Sequence, residues 1–446
     1  MDYSTEYKSR LRTATEAAAA VKNDDWVDYG FGLNMPELFD QALAARKGEL
    51  KNVNIRGLLA LKPLAAVEQD REQESFHYNS WHMSSYERKL SDKGLCSYIP
   101  MTYRYKPALY RKLLTVNVAC ICVSPMDRHG YFSFSFSNSA TRAILDSAEK
   151  VIVEVNERHP RTLGGRQECI HISEVDMVIE GEHGPLAQLP SKPPTAEDIA
   201  VAKQIVNEIS DGSTIQLGIG SMPGAIGTMI AESDLKDLGG HTEMLCDAYM
   251  AMHQSGRMNN RKKKLDQGKT AWSICMGSGE LYEWVAENMA LASYPVDYTN
   301  SPEIMAQNDR LMTINSCVEV DLFGQTCAES SGIRHISGSG GQLDFLTGGF
   351  MSEGGKSFIC MTSTFRDKET GALKSRLVPT LKEGGIVTDP RSQAYYLVTE
   401  QGIANLAGLT VWQRAEQIIA LAHPSFREEL IRQAETMKIW KKSNRR

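Results

Sequence analysis

The stretch Thr214-Ile215-Gln216-Leu217-Gly218-Ile219-Gly220-Ser221-Met222-Pro223 decides how the rest of the chain is read. Its first four residues make a short strand-like run, its two glycines mark a turn, and Pro223 suits the first turn of a helix. A helical pattern from Ala196 to Ile209 leads into it through Ser210-Asp211-Gly212. The same order of features occurs near the start of the chain. There an alanine-rich segment, Thr13 to Val21, passes through Asn23-Asp24-Asp25 into Trp26-Val27-Asp28-Tyr29 and then Gly30-Phe31-Gly32-Leu33-Asn34-Met35-Pro36. Apart from one extra residue in the first loop, a helix–strand–glycine loop–helix unit repeats after about 190 residues.

Strand-like runs such as Val151-Ile152-Val153-Glu154-Val155 and Phe358-Ile359-Cys360-Met361 recur in both halves. Helical patterns, Trp412 to Leu421 and Phe426 to Thr436 among them, separate such runs. Alternating strands and helices imply an α/β fold with mostly parallel sheets, whose ligands gather at the carboxyl ends of strands. The repeat predicts two pseudo-symmetric α/β domains with a site in or near the cleft between them. Four prolines between Gly184 and Pro194 mark a linker. The expected division is an N-terminal domain over 1–186, a linker over 187–195 and a C-terminal domain over 196–446.

A chain of 446 residues is too long for one ordinary core, and 42% apolar with 23% charged residues is the balance of a globular protein. The net charge of −6 argues against nucleic-acid binding, and the basic run Arg261-Lys262-Lys263-Lys264 reads as a solvated loop. No apolar stretch has the length of a membrane span, and the polar start of the chain predicts a cytoplasmic protein. The nine cysteines are scattered without a CxxC pair, so no metal is expected. Cys120 and Cys122 alternate within an apolar run, the pattern of buried thiols on one face of a strand.

Gly218-Ile219-Gly220 begins like a dinucleotide fingerprint, but Pro223 stands where that fingerprint needs glycine or alanine. The loop instead offers backbone N–H groups at a helix start, suited to a phosphate, carboxylate or oxyanion, or is simply a turn. Gly338-Ser339-Gly340-Gly341 packs three glycines into four residues, which points to close approach of backbone and ligand ahead of a tight crossover of the chain. Between the two loops lies Glu243, in Gly239-Gly240-His241-Thr242-Glu243-Met244-Leu245. A carboxylate between loops rich in N–H groups suggests covalent acyl chemistry, with the acid as nucleophile. Asp127 to Ser137 alternates aromatic residues with serine, the pattern of a strand with one packed face. His129 in its turn reads as structural rather than as a catalytic base. Asn79-Ser80-Trp81-His82-Met83-Ser84 is similarly polar and aromatic, a composition that admits a pocket wall without requiring one.

Gly218-Ile219-Gly220-Ser221-Met222-Pro223, His241-Thr242-Glu243-Met244 and Ile336 to Phe345 together resemble the acetyl-CoA hydrolase/transferase family. Within it they are similar to the branch of butyryl-CoA:acetate and 4-hydroxybutyrate CoA-transferases. Val27-Asp28-Tyr29-Gly30, Val398 to Leu406 and Ala422 to Arg427 extend the likeness over nearly the whole chain. Ser221 stands where the family often has glycine, and Gly224 where it often has Asn or Asp.

The resemblance implies a ping-pong CoA-transferase in which Glu243 carries CoA as a glutamyl thioester, with butyryl-CoA and acetate as substrates. Its alternatives are 4-hydroxybutyrate or another short acid, or acyl-CoA hydrolysis; outside the family stands a non-enzymatic ligand-sensing module. It assigns CoA contact to Gly218, Ile219, Gly220, Ser221, Met222 and Gly341, with Thr364 as a further candidate. CoA is then substrate and covalent intermediate rather than a resident cofactor. The expected partners are acyl-CoA and short-chain carboxylates, with a homodimer or homotetramer as the assembly and neither nucleic acid nor membrane.

Overall fold

In the computed structural model the described residues are 3–189, 193–218 and 220–440. Residues 190–192 of the proline-rich segment, and Ile219 of the second glycine loop, lie outside them. The chain forms two compact units. One comprises Met1–Pro190, Thr242–Cys246 and Lys269–Ser301, and the other comprises Ser191–His241, Asp247–Gly268 and Pro302–Arg446.

The first unit is built on eight strands: Leu11–Arg12 (β1), Trp26–Phe31 (β2), Val53–Leu58 (β3), Phe76–Ser80 (β4), Ser97–Tyr98 (β5), Val116–Val123 (β6), Ala148–Val155 (β7) and Met177–Ile179 (β8). Their order is β1-β8-β7-β6-β2-β3-β4-β5, and every neighbouring pair is parallel. Parallel sheets are covered on both faces, so their strands need apolar residues at successive positions. The centre of the sheet meets that demand: Ile121 and Val153 pack in one core, while Cys120 and Ile152 pack in the other. Asp28 and Arg56, register partners on β2 and β3, form a buried ion pair of 2.8 Å.

The second unit carries six strands: Thr214–Leu217 (β9), Gly239–Gly240 (β10), Leu311–Ser316 (β11), Lys356–Cys360 (β12), Tyr396–Thr399 (β13) and Gly402–Asn405 (β14). Their order is β10-β9-β11-β12-β13-β14, parallel except for the closing pair β13–β14. The internal repeat is visible in these orders. The repeated strands, β2 and β9, hold the same place in β3-β2-β6-β7-β8 and in β10-β9-β11-β12-β13.

Division by chain order and division by contacts differ around Glu243. Chain order assigns it to the C-terminal half, yet Thr242–Cys246 is part of the first unit. The cause is apolar burial: Met244, Ile274, Met276 and Val296 share one core with Phe31, Trp81 and Tyr103. The aromatic–serine segment also departs from expectation. Only Tyr131–Ser133 is a strand, and beyond it Ser135 and Ser137 are as buried as Phe134 and Phe136. Cover from Asn138 and Phe136 backbone bonds to Ser273 and Cys275 removes any solvent face.

Candidate active site

The chain changes hydrogen-bond partners just before Glu243. The His241 N–H still donates to Ile215 of β9 at 3.1 Å, whereas the Thr242 N–H donates to Ala271 at 2.9 Å. The Glu243 carbonyl then accepts the N–H groups of Ser273 and Ile274, at 3.0 and 2.9 Å. Met244–Leu245 continues as a parallel pair with Ile274–Cys275. The backbone of Glu243 is therefore held on both sides, and its side chain is only partly buried.

Asn300 Nδ2 donates to Glu243 Oε2 at 2.6 Å. Thr299 Oγ1 donates to Asn300 Oδ1 at 3.0 Å, which fixes the amide so that its N–H faces the carboxylate. Both residues are fully buried, and Asn300 ends the four-residue helix Val296–Thr299. At that helix's start, the Val296 N–H donates to the carbonyl of Ser139 at 2.9 Å. The Ser139 hydroxyl lies 2.6 Å from that of Tyr103. Burial, and after it the charge of Glu243, hold the Tyr103 phenol well above its ordinary range, so it stays neutral. Ser139 thus ties together the helix that carries Asn300 and the phenol that senses Glu243.

Behind this cluster lies Lys106, which is fully buried with no hydrogen-bond partner for Nζ. Its ammonium sits 3.7 Å from the Phe31 ring centre, 4.8 Å from Trp81 and 5.8 Å from Tyr103, a cation–π arrangement. Phe31 is held by the glycine loop after β2. Gly32 has φ +57°, which strains any side chain, and a Cβ there would meet the terminal Met276 Cε at 2.3 Å and displace it. The pocket-like Asn79 to Ser84 segment contributes Trp81, whose Nε1 donates to Tyr110 at 3.2 Å, and Ser84, which caps the helix Ser85–Ser91. His129 lies in an exposed turn, its N–H bonded to Asp127 at 2.8 Å.

The residues assigned to CoA belong to the second unit. Gly218 follows β9, but its N–H donates to Ile314 at 3.1 Å and is engaged in the sheet. Gly220, at φ +129°, is the N-cap of the twelve-residue helix Ser221–Glu232, with Ser221, Met222 and Pro223 in its first turn. First-turn N–H groups have no partner within their own helix, which makes this an anion-accepting end. Gly341 is the N-cap of the ten-residue helix Gln342–Met351, with an ordinary negative φ of −98°. That helix connects β11 to β12, so both helices start at the carboxyl edge of the parallel strands. Thr364 opens a hairpin just beyond β12, paired with Ser375.

Among the described residues, Cys122, Glu154 and His183 have ligand atoms within 4.8 Å of one another. Glu154 already accepts the N–H groups of Glu37, Leu38 and Phe39 at 2.8, 3.1 and 2.9 Å, and lies 3.0 Å from His183 Nε2. Its carboxylate therefore serves as the cap of the helix Leu38–Ala44. Sequence reasoning missed Asn300, Tyr103 and Ser139. Of the three only Asn300 has a legible trace, the polar turn Thr299-Asn300-Ser301 before Pro302. The basic run Arg261 to Lys264 departs in part from a solvated loop: three of its residues are exposed, but Lys263 is buried.

Family models describing the acetyl-CoA hydrolase/transferase N-terminal and C-terminal domains match residues 1–190 and 277–434. A probable butyrate:acetyl-CoA coenzyme A-transferase of Syntrophomonas wolfei is 49% identical over 99% of this chain and 98% of its own length. A butyryl-CoA:acetate CoA-transferase of Anaerostipes caccae is 47% identical over the full length of both chains. The crystal structure of RipA from Yersinia pestis superposes with a TM-score of 0.89 at 34% identity, covering 98% of this chain and 100% of RipA.

Proposed function

The chain belongs to the acetyl-CoA hydrolase/transferase family and is an enzyme that transfers CoA, and we propose that it moves CoA from butyryl-CoA to acetate through a covalent thioester on Glu243. The observation that carries this reading is the 2.6 Å bond from Asn300 to Glu243. Asn300 holds Oε2, and Oε1 attacks the thioester carbonyl of butyryl-CoA. The C–S bond breaks, CoA leaves as a thiolate, and a butyryl–glutamyl anhydride remains. The thiolate then attacks the glutamyl carbonyl, butyrate leaves with the bridging oxygen, and Glu243 is left as a CoA thioester. In that second step Oε2 becomes the oxyanion, and Asn300 already donates to it. Acetate repeats both steps in reverse order and departs as acetyl-CoA.

No ATP is consumed, because each intermediate retains an activated acyl bond. The helix ends at Gly220–Met222 and Gly341 are proposed to receive the phosphates and pantetheine amides of CoA. All nine cysteines are free thiols, in keeping with a reducing, cytoplasmic setting. Among the described residues no helix is long and apolar enough to cross a membrane. Assembly as a symmetric dimer or tetramer belongs to the same proposal and is checked by light scattering.

The test is mass spectrometry after mixing with butyryl-CoA alone. CoA should be found attached at Glu243 and be discharged by acetate as acetyl-CoA. A chain that gains no mass at Glu243 while turning over does not use this mechanism. Steady release of free CoA without any acceptor acid would identify a hydrolase instead.

A further inference from the structure

We infer that Asn260 and Lys263 are positioning residues for Glu243, acting as a side-chain clamp on the strand that leads to it. This rests on the reading of Glu243 as nucleophile. Strand β10 lies at the edge of its sheet, and its backbone groups alternate in direction. Gly239 and His241 donate toward β9, to Ser213 and Ile215 at 2.9 and 3.1 Å. Leu238 and Gly240 face the other way, where a further strand would stand.

The loop from Arg257 to Lys263 takes that place. Leu238 exchanges backbone bonds with Arg257 and Asn260, at 2.9 and 3.0 Å. At Gly240 the partners are side chains: its N–H donates to Asn260 Oδ1, and its carbonyl accepts from Lys263 Nζ, both at 2.8 Å. Asn260 is fully buried and Lys263 is 4% exposed. The lysine stem lies across Gly239 so closely that a Cβ there would meet its Cγ at 2.6 Å.

The clamp has a reason in the sequence. Two adjacent glycines have the loosest backbone available, and Glu243 follows three residues after the second. Fixing both polar groups of Gly240 removes that freedom from the residue where it would most misdirect the nucleophile. Loss of a near-attack orientation lowers turnover without weakening substrate binding.

The experiment is rapid-quench mass spectrometry of CoA attachment to Glu243 at saturating butyryl-CoA. Lys263→Met keeps the stem and removes the donor; Asn260→Gly keeps the left-handed backbone (φ +60°) and removes the acceptor. Each should slow attachment and kcat by about tenfold or more, with KM for butyryl-CoA within about twofold. Asn260→Asp retains the acceptor oxygen and should return to within about threefold of wild type. Lys264→Met, whose ammonium is exposed and paired with Asp309 at 2.7 Å, should match wild type. Should Lys263→Met fail to fold, the Asn260 pair decides. Wild-type attachment rates in Lys263→Met and Asn260→Gly would overturn the clamp alone, whereas a wild-type chain that never acquires CoA would overturn the nucleophile reading and the clamp with it.

Discussion

Asn300 and Glu243 are 57 residues apart in the chain and 2.6 Å apart in the fold. The amide is buried, its oxygen accepts from Thr299, and its nitrogen is thereby turned to donate to the carboxylate. A hydrogen bond to a charged group contributes roughly 1.5–3 kcal/mol, so Asn300→Ala should lower kcat by about 10- to 150-fold. Asn300→Asp should be worse, because it sets a second carboxylate against Glu243. Steady-state kinetics with each variant checks both; an Asn300→Ala enzyme with unchanged kcat would show that the contact is structural only.

Gly32 is a position where the backbone and the packing make the same demand. Its left-handed φ strains any side chain, and a Cβ would also press on the terminal methyl of Met276 at 2.3 Å, which would have to shift. Gly32→Ala should therefore destabilise the first unit by roughly 1–3 kcal/mol, from backbone strain plus displacement of the Met276 methyl. Met276→Ala opens that space at the cost of its own cavity, so Gly32→Ala should cost less in the Met276→Ala background, where the strain alone remains. Urea midpoints of wild type, both single variants and the double variant measure the two shares; a Gly32→Ala cost unchanged in the Met276→Ala background would place it wholly in the backbone.

Much of the fold was legible because parallel strands buried on both faces must be apolar nearly throughout, as Val116 to Val123 is. The repeated glycine loops gave the pseudo-symmetry, since a turn after a strand leaves a local signature. The site was less legible, and the residues show why. Glu243 could be picked out by its neighbours, but the meaning of its neighbourhood depends on Asn300, and nothing local links the two. Alternation at Phe132 to Ser137 shows a period without showing what covers each face, so the burial of Ser135 and Ser137 was missed. A run of basic residues likewise does not say which member turns inward, and Lys263 does.

Asp389 supplies a pH signature in the second unit. Burial raises its carboxyl from 3.8 to about 7, against a bond from Gln342 Nε2 at 2.7 Å that favours the ionised form. A carboxyl raised on folding binds its proton more tightly in the folded chain. Stability is therefore lost as pH rises from about 4 to about 7, a cost on the order of 4 kcal/mol at most. Asp389→Asn removes the titrating group and keeps an acceptor for Gln342. Its urea midpoint should equal that of wild type near pH 4 and exceed it above about pH 7. Equal gains at both pH values would show that Asp389 ionises normally.

Lys106 makes the opposite prediction in the first unit. Its ammonium is enclosed by Phe31, Trp81 and Tyr103, and its nearest cause of relief, Asp28, is already paired with Arg56. Burial lowers its pKa well below the ordinary 10.5; Asp28 pulls the value back up and Arg56 pushes it further down. Cation–π attraction recovers about 2 kcal/mol when the group is desolvated, less than the several kcal/mol that burying an ion takes. A lysine lowered on folding binds its proton more weakly in the folded chain, so stability rises with pH from the folded value up to the unfolded one. Lys106→Met fills the same volume without the charge and lacks this slope. The variant should be more stable than wild type near neutral pH, and its advantage should shrink as the pH approaches the ordinary lysine range. Denaturant midpoints for both chains at about pH 7 and about pH 9.5 test this. An advantage that stays constant across the two pH values would mean that Lys106 keeps its proton throughout, with the aromatic cage offsetting the full cost of its burial.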